Sequence, residues 1–396
     1  MAESVSPWLT LIGIGEDGLA GLSDASRDAL ARAEVVFGGP RHLALAGVGD
    51  RGQAWPVPFS TAPVLAARGR QVAVLASNDP FWFGAGGALV PDLAPGEWRS
   101  YPQPSTFALA ANRLGWRLEE TRCLGLHAAP YASLIPELAP GARLICTLRD
   151  AAAAGELAAW LVAQGFGASR LWLLEALGGP RERVRQAQAD AFALTDIAAP
   201  VAVAILAAGG PGLARVPGLP DARFAHDGQI TRAPVRALTL SALAPRAGAR
   251  LWDIGAGSGS VSVEWCLAGG VASAIEARAD RVANIRANTQ GFGISHRMTV
   301  IEGAAPAALA GLEPPDAVFV GGGGNDALLA VLWGILPEGV RLVANAVTLE
   351  TEALLVAWQA QKGGSLLRIE LAEAIPLGRM RGWVAARPVV QWSVVT

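Results

Sequence analysis

A run of small and acidic residues in the second half of the chain has the composition of a nucleotide-binding turn. Asp253 ends an apolar run, and the turn Gly255-Ala256-Gly257-Ser258-Gly259 follows directly. Glycines at such a turn let backbone N–H groups approach a ligand without Cβ clashes. Glu276 ends the next apolar run. A carboxylate there can accept hydrogen bonds from both ribose hydroxyls of a nucleoside.

The spacing of the glycines distinguishes two kinds of cofactor. A dinucleotide fingerprint, Gly-x-Gly-x-x-Gly, would require glycine at position 260, where the chain has Ser260. The observed order Asp-x-Gly-x-Gly-x-Gly suits S-adenosylmethionine, which has no pyrophosphate to bind. The sequence therefore predicts an adenosylmethionine site at residues 253–259, with Glu276 as its ribose ligand.

The elements around this turn have the pattern of a doubly wound parallel sheet. A helix is predicted at residues 260–267, directly after the turn, and helical patterns separate the first six strand candidates. A loop without an obvious helix joins the last two, which predicts an antiparallel final strand. The seven strand candidates are Leu251–Ile254, Ala274–Ile275, Met298–Ile301, Ala317–Val320, Arg341–Ala344, Leu366–Leu371 and Val389–Val395.

The first half of the chain also alternates short apolar runs with helical patterns, which indicates a second α/β domain. The predicted strands are Leu9–Ile14, Glu34–Phe37, Gln71–Ala76, Leu144–Leu148, Leu171–Glu175 and Val201–Ala207. The predicted helices are Ser23–Ala33, Ser105–Leu114 and Ala151–Gln164. Glycine and proline are concentrated between the two halves. We therefore expect domains at residues 1–210 and 225–396, joined by a linker at 211–224.

Composition restricts the classes of protein that the chain can belong to. Apolar residues make up 52% of the chain and charged residues 17%, so each domain can bury a core. The net charge of −2 argues against a nucleic-acid partner. Lys362 is the only lysine, and we interpret the excess of arginine as genome composition. Cys123, Cys146 and Cys266 fit neither a disulfide framework nor a zinc site.

Neither a signal peptide nor a membrane span is predicted. The start, Met1–Ser4, has no basic segment followed by an apolar run. The longest uncharged stretch, 197–214, is interrupted by Pro200 and by Gly209-Gly210-Pro211, which favours a buried strand and a loop. We therefore expect a cytoplasmic protein without a membrane partner.

The second half resembles two nested families. Asp253–Gly259 with Glu276 is the class I methyltransferase signature. The surrounding segments resemble the decarboxylating precorrin methyltransferases of vitamin B12 synthesis over nearly all of residues 217–396. These segments are Pro220-Asp221, Asp227-Gly228-Gln229-Ile230-Thr231, Val235-Arg236-Ala237-Leu238-Thr239-Leu240, Leu251-Trp252-Asp253 and Val347-Thr348-Leu349-Glu350.

The first half resembles the tetrapyrrole methylase family, whose fold is two-lobed (class III methyltransferase). The matching segments are Gly13-Ile14-Gly15, Gly38-Gly39-Pro40-Arg41-His42-Leu43, Ser77-Asn78-Asp79-Pro80-Phe81-Trp82-Phe83-Gly84, Pro102-Gln103-Pro104-Ser105-Thr106-Phe107 and Gly178-Gly179-Pro180-Arg181-Glu182-Arg183. Fused in this order, the two domains are similar to bifunctional precorrin methyltransferases. The resemblance implies methylation of a precorrin at C5 by the first domain. It implies methylation at C15 and decarboxylation of the C12 acetate by the second.

The resemblance also implies one S-adenosylmethionine per domain, a small tetrapyrrole as substrate and, we expect, a homo-oligomer. In the second domain the implied cofactor contacts are Thr231, Asp253, Gly255, Ala256, Gly257, Ser258, Gly259, Glu276, Ala304 and Ala305. In the first domain they are Gly13, Gly15, Glu16, Ser77, Asn78, Asp79, Trp82, Ser105, Thr106 and Leu148. The chain departs from many relatives, which have an acid at position 304, Gly-Pro-Gly-Asp at 15–18 and Gly-Asp-Pro at 78–80.

Methyl transfer from a sulfonium to an electron-rich carbon requires no nucleophilic side chain, and the four histidines are scattered. The macrocycle can serve as electron sink for decarboxylation, so we expect no metal. Carboxylates on the substrate predict arginines in its cleft. The candidates are Arg41, Arg379 and Arg381. His42 is a candidate proton donor or a helix-start residue, and Asn345 a substrate contact or an ordinary strand-end residue.

Two other functions fit the same motifs. Both folds host RNA and protein methyltransferases, which usually carry a basic stripe or an added RNA-binding module. The displaced acids of the first domain also suit a tetrapyrrole-binding scaffold with one active methyltransferase domain.

Overall fold

The computed structural model describes residues 7–396. The chain folds as two compact units. The first contains the residues up to Tyr131 and Glu137–Gly212, and the second contains Ala132–Pro136 and Leu213–Thr396. Met1–Ser4, on which the prediction about a signal peptide rests, lie outside the described residues. Across residues 7–396, no helix is long and apolar enough to cross a membrane.

The first unit begins with a five-stranded parallel sheet in the order β3-β2-β4-β1-β5. Its strands are β1 (Leu9–Ile14), β2 (Val35–Gly38), β3 (Gly52–Ala54), β4 (Val72–Ser77) and β5 (Trp98–Tyr101). The helices of this part are α1 (Asp24–Arg32), α2 (Pro40–Ala46), α3 (Ala62–Ala66), α4 (Gly86–Leu89) and α5 (Thr106–Leu114). Both faces of β1 are buried, because Leu9 and Leu11 pack in one apolar cluster and Ile12 and Ile14 in another.

A second five-stranded sheet of mixed direction completes this unit, in the order β6-β7-β10-β8-β9. Its strands are β6 (Thr121–Gly125), β7 (Arg143–Thr147), β8 (Arg170–Glu175), β9 (Arg183–Gln188) and β10 (Val201–Leu206). Helix α6 (Ala152–Ala163) follows β7. Strand β10 is antiparallel to both of its neighbours and is buried along nearly all of its length. The apolar stretch that the sequence assigns to a buried strand and a loop is therefore confirmed as such.

Serine caps begin two of the predicted helices. The Ser23 hydroxyl accepts a hydrogen bond from the Ser26 N–H at 3.3 Å, and Ser105 accepts one from Ala108 at 3.1 Å. Each bond satisfies a backbone donor that the first helical turn leaves unpaired. The predicted contacts Ser105 and Thr106 are thus the cap and the first residue of α5.

The second unit contains a seven-stranded sheet in the order β13-β12-β11-β14-β15-β19-β16. Its strands are β11 (Arg250–Ile254), β12 (Val271–Glu276), β13 (Met298–Glu302), β14 (Ala317–Val320), β15 (Arg341–Ala346), β16 (Ser365–Ile369) and β19 (Val389–Val395). The helices are α7 (Ala233–Leu243), α8 (Ser260–Leu267), α9 (Ala279–Gly291), α10 (Asp326–Ile335) and α11 (Leu349–Lys362). Strand β19 is antiparallel to β15 and β16, which confirms the predicted antiparallel final strand. The predicted α/β fold class is confirmed as well.

The prediction of a plain loop between β16 and β19 is wrong. This segment contains an antiparallel hairpin of β17 (Ala372–Leu377) and β18 (Met380–Ala385). Nearly all of its residues are exposed, and Leu377, Met380 and Trp383 are 70%, 78% and 77% accessible. Neither face is buried within the unit, so the residues show no alternation of apolar and polar side chains.

Both faces of the large sheet are buried, and the alternation along β11 orients the site. Leu251 packs in the apolar cluster that includes Val263 of α8, whereas Trp252 and Ile254 pack in the cluster on the opposite face. Asp253 shares the α8 face, because side chains two residues apart in a strand lie on the same side.

Candidate functional site

The glycine-rich turn follows β11 in the second unit, at the carboxyl end of the parallel strands. Gly255, Gly257 and Gly259 have φ values of +67°, +60° and +70°, which favour glycine. The backbone N–H of Gly255 donates to the carbonyl oxygen of Ile275 at 3.0 Å. A Cβ at Gly255 would overlap the carbonyl oxygen of Gly322. The glycine run after β14 therefore packs directly on the turn.

Asp253 and Ser258 carry unused hydrogen-bonding capacity beside this turn. Asp253 is 1% exposed, and its Oδ2 accepts from the Ser262 hydroxyl at 2.6 Å. Burial raises the pKa of Asp253 to about 6, and the Ser262 bonds oppose that rise. Asp253 Oδ1 and Ser258 Oγ are buried without a hydrogen-bond partner among residues 7–396. Buried polar atoms in native proteins usually have partners, so these two fit a polar ligand at the turn.

Glu276 connects the turn to the end of the next strand. It is 5% exposed, its Oε2 accepts from the Gly257 N–H at 2.9 Å, and its Oε1 accepts from the Arg278 N–H at 3.0 Å. A carboxylate oxygen can accept a second hydrogen bond, so both oxygens retain capacity for a ligand hydroxyl. The Gly303 N–H donates to the Glu276 carbonyl oxygen at 2.9 Å, which brings the turn at 304–305 beside this residue.

A buried arginine fixes the segment that contains Thr231. Arg236 of α7 is fully buried, and its guanidinium donates to Glu264 Oε1 at 2.6 Å and to Asp221 Oδ1 at 3.1 Å. The same group donates to the carbonyl oxygen of Thr231 and lies 4.7 Å from the centre of the Phe224 ring. Thr231 is thereby held at the start of α7 through its backbone.

Asn345 lies in a triangle of polar side chains near the carboxyl end of β15. Its Nδ2 donates to Thr239 Oγ1 at 3.0 Å, and its Oδ1 accepts from Gln391 Nε2 at 3.0 Å. Thr239 is fully buried and Gln391 is 3% exposed. The triangle therefore fixes the orientation of the Asn345 carboxamide.

Arg379 and Arg381 are exposed on the β17–β18 hairpin. This hairpin follows the carboxyl end of β16, which runs parallel to β15.

The first unit contains a cavity of about 270 Å³ between its two sheets. The predicted contacts that line it come from both halves of the unit: Glu16, Arg41, Ser77, Asn78, Trp82, Ser105, Thr106 and Leu148. The further lining residues are Phe83, Phe107, His127, Thr147, Leu174, Leu177, Pro200, Val201 and Ala202. Side chains that are far apart in the sequence thus meet around one space.

An arginine–carboxylate cluster forms one wall of this cavity. Arg41 pairs with Glu16, whose side chain is 6% exposed, and Arg181 Nη2 lies 3.3 Å from the second carboxylate oxygen. Arg41 also donates to Ser77 Oγ at 2.9 Å, and His42 Nε2 lies 2.8 Å from the same hydroxyl. Burial, and then the Arg41 charge, lower the pKa of His42 to about 4. His42 is therefore a neutral imidazole at pH 7.

Gly13 and Asn78 form the close backbone contact of this unit. A Cβ at Gly13 would overlap the Asn78 carbonyl oxygen, which also accepts from the Gln103 N–H at 2.9 Å. Asn78 has a φ of +55°, and its Nδ2 donates to the Pro104 carbonyl oxygen at 2.8 Å. Asp79 Oδ1 accepts from the Phe81 N–H and stabilises the turn there. Asp79 and Gly13 are absent from the cavity wall, and Gly15 lines a neighbouring cavity.

The sequence predicts Trp82 at this cavity but not Phe83 and Phe107, which complete its aromatic wall. Phe83 is 55% exposed with a φ of +58°, which is strained for a bulky residue. Its ring centre lies 5.8 Å from that of Phe107 and 6.3 Å from that of His127. The run Phe81-Trp82-Phe83 carried the available signal, because adjacent aromatic side chains beside a turn cannot all be buried.

Within the part of the chain that the structure describes, no group of three or more His, Cys, Asp or Glu side chains is arranged to hold a metal ion.

Comparison with known proteins identifies two matching families. A model of tetrapyrrole (corrin/porphyrin) methylases matches residues 9–193, and a model of the precorrin methyltransferase domain matches residues 222–396. The chain is 50% identical over 399 residues to a Sinorhizobium sp. protein named precorrin-6Y C(5,15)-methyltransferase (decarboxylating), and the match covers 98% of this chain and 96% of the relative. A Mycobacterium tuberculosis (strain CDC 1551) protein of the same name is 38% identical, with 98% and 99% covered.

Among solved structures, the C-terminal domain of precorrin-6Y C5,15-methyltransferase from Rhodobacter capsulatus is 62% identical. The match has a TM-score of 0.46 and covers 46% of this chain and 100% of that one.

Proposed function

This chain belongs to the family of decarboxylating precorrin-6Y C(5,15)-methyltransferases, and we propose that it methylates a precorrin at C5 and C15 and decarboxylates the C12 acetate. It is a methyltransferase of cobalamin biosynthesis with an α/β fold in each unit. We assign C5 methylation to a domain at residues 1–210. C15 methylation and decarboxylation belong to a domain at 225–396, with 211–224 as the linker.

The glycine turn of the second unit is the observation that carries this proposal. The turn brings together Gly255–Gly259, the Glu276 carboxylate and the Asp253 Oδ1 atom, which has no partner within residues 7–396, at the ends of neighbouring strands. This arrangement fits the ribose and the other polar groups of adenosylmethionine. Thr231 and the Ala304-Ala305 turn complete the proposed contact set.

Bound adenosylmethionine supplies an electrophilic methyl group. The chain's own residues hold it in line with an electron-rich meso carbon and exclude water, which can account for much of the rate of such a reaction. Decarboxylation uses the conjugated macrocycle as its electron sink. The side chains therefore orient the reactants rather than form covalent intermediates.

A second adenosylmethionine and the tetrapyrrole meet in the cavity of the first unit. The supporting observation is the wall formed by Arg41, Ser77 and the exposed rings of Trp82 and Phe83. Arginine binds substrate carboxylates in bidentate fashion, and aromatic side chains pack against a flat macrocycle. Each unit thus holds one cofactor, which gives two per chain.

In the second unit, Asn345 contacts the tetrapyrrole. Its carboxamide is oriented by two buried partners, and after those bonds it retains one N–H and one lone pair. Ordered polar side chains at the carboxyl end of a doubly wound sheet usually meet substrate.

The enzyme forms a homo-oligomer through the β17–β18 hairpin and the outer edge of β16. The hairpin exposes Leu377, Met380 and Trp383, and β16 exposes Leu367 at the edge of the large sheet. Open edges with apolar side chains pair readily with another chain. We place the enzyme in the cytoplasm, consistent with the free thiols of its cysteines, and without a nucleic-acid partner.

Product analysis by mass spectrometry tests the proposed function. The full chain is incubated with precorrin-6Y and adenosylmethionine that carries a labelled methyl group. We expect two labelled methyl groups and loss of one carbon dioxide in the tetrapyrrole. A Gly255→Val variant should add one methyl group without decarboxylation, because its Cβ would overlap the Gly322 carbonyl oxygen. A parallel incubation contains total RNA instead of the precorrin. Label in the RNA but not in the tetrapyrrole would refute the proposal.

A further inference from the structure

Residues 225–231 form a strap that precedes α7 in the second unit. The carbonyl oxygen of Gln229 lies 3.6 Å from the position of a Cβ built on Gly257, so the strap passes beside the glycine turn. Thr231 at its end is a proposed cofactor contact, and the turn supplies others. The strap and the turn are thus two walls of one site, separated in the sequence by α7 and β11.

Asn288 of α9 joins these two walls, and it is only 4% exposed. Its Nδ2 donates to the Ala225 carbonyl oxygen at 2.9 Å and to the Ser258 carbonyl oxygen at 2.8 Å. Its Oδ1 accepts from the Ala225 N–H at 2.7 Å. One carboxamide therefore binds the first residue of the strap on one side and the turn on the other.

The next residue, Thr289, is an equally buried polar side chain and serves as a comparison for Asn288. Thr289 is also 4% exposed, and its hydroxyl lies 2.7 Å from the carbonyl oxygen of Ile285 in the same helix and 3.1 Å from the sulfur of Met298. Neither partner belongs to the strap or to the turn, whereas every hydrogen bond of the Asn288 side chain reaches one of them. An apolar residue of the same shape at 288 would leave the buried carbonyl oxygen of Ser258 and the backbone groups of Ala225 without these partners.

Arginine side chains also hold the strap: Arg278 Nη2 lies 3.8 Å from Asp227 Oδ2, and two others make shorter contacts. Arg236 donates to the Thr231 carbonyl oxygen, and Arg281 Nε lies 2.9 Å from Asp227 Oδ2 at the surface. Asn288 differs from these arginines because its one side chain hydrogen-bonds both the strap and the glycine turn directly.

We propose that Asn288 is a positioning residue for adenosylmethionine in the second unit. It fixes the strap against the glycine turn before the cofactor binds, so that the two walls need not be ordered during binding. Pre-organisation of this kind raises affinity because binding no longer includes the entropy loss of the segment. The inference rests on the proposed function, since it takes the turn to be an adenosylmethionine site.

Calorimetry on the full chain tests this role, with Asn288→Leu compared with Thr289→Val. Both variants remove one buried polar group from the same turn of α9 and keep the number and branching of the side-chain heavy atoms. We expect Asn288→Leu to weaken adenosylmethionine binding at the second-unit site by about tenfold or more. Thr289→Val should bind as the wild type does, and the first-unit site should be unchanged in both variants. Thermal unfolding without ligand reports the stability lost in each.

A structural role alone would lower the unfolding temperature and leave the affinity of the folded protein unchanged, and that result would overturn the proposal. If Asn288→Leu does not fold, Asn288→Asp replaces it, because aspartate keeps the oxygen that accepts from Ala225 and loses both amide donors. Wild-type affinity in folded Asn288→Asp would likewise overturn the proposal. Absence of a second-unit site in the wild-type chain would refute the proposed function instead, so the two failures are distinguishable.

Discussion

The Glu276 carboxylate and the backbone N–H of Gly257 are joined by a hydrogen bond of 2.9 Å. The acid at the end of β12 thereby fixes the middle of the turn that follows β11. It is both a proposed ribose ligand and a support for the neighbouring cofactor contacts.

Replacement of Glu276 by alanine should weaken adenosylmethionine binding at the second-unit site by about 2–4 kcal/mol, because two ribose hydrogen bonds to a charged group are lost. Titration calorimetry on the full chain measures the change. Glu302→Ala is the matched control, since Glu302 is the register partner of Glu276 on β13 and is exposed. Unchanged affinity in a folded Glu276→Ala variant would show that the ribose ligand is misassigned.

The number of cofactor sites should fall from two to one when Gly13 is replaced by alanine. The new Cβ would overlap the Asn78 carbonyl oxygen and displace the loops at the first-unit site. Equilibrium dialysis with labelled adenosylmethionine gives the stoichiometry. Gly87→Ala is the control, because a Cβ there meets no atom of residues 7–396 within 4 Å. A single site in the wild-type chain that Gly13→Ala leaves intact would mean that the first unit binds no cofactor.

Arg236→Met should destabilise the second unit by about 3–5 kcal/mol, since it removes the fully buried guanidinium that pairs with Glu264 and Asp221. Urea unfolding measures the loss. Arg232 pairs with the same Asp221 but its side chain is 65% exposed. Arg232→Met should therefore cost less than about 1 kcal/mol. Equal losses in the two variants would contradict the importance of burial for this pair.

Acidification should destabilise the first unit through His42. Its folded pKa of about 4 lies below the ordinary value of 6.5. Between these values the unfolded chain binds a proton that the folded chain does not, so stability falls as the pH decreases through this window. His42→Gln should reduce the difference between unfolding temperatures at pH 7 and pH 4.5. An unchanged difference would show that His42 titrates alike in both states.

Charge on the hairpin should dissociate the proposed oligomer. Trp383 is 77% exposed on β18, and Trp383→Glu would place a carboxylate in the apolar surface. Sedimentation velocity should show an oligomer for the wild type and a monomer for the variant, whereas Glu313→Gln on another exposed surface should have no effect. A monomeric wild type would refute the assembly.

Buried strands were the part of the fold that the sequence predicted well. The runs at 251–254 and 317–320 are apolar because both faces of the sheet are covered, and a fully buried strand must avoid polar side chains. The hairpin at 372–385 was missed because nearly all of its residues are exposed, so no apolar run marks its strands. Strands β3, β5, β6 and β9 were also missed, since Thr121 is the single buried residue among them.

The residues of the candidate site also fall into those that the sequence could predict and those that it could not. The glycine turn could be predicted because backbone geometry restricts its residue types to glycine. Asn288 and Arg236 could not, since their roles come from partners more than a dozen residues away along the chain. A single asparagine in a helical pattern is typical of a surface residue. In the first unit, the cavity wall combines separate segments from both sheets, and no spacing in the sequence records that arrangement.

The place of β19 in the large sheet has a consequence for synthesis on the ribosome. This strand lies between β15 and β16, and it supplies all the backbone hydrogen bonds of the sheet to β16. The nascent chain can complete both sheets of the first unit once residue 206 has emerged, and domains generally fold as units during translation. The seven-stranded sheet of the second unit stays incomplete until residues 389–395 leave the exit tunnel. During that interval β15 and β16 each present an unpaired edge.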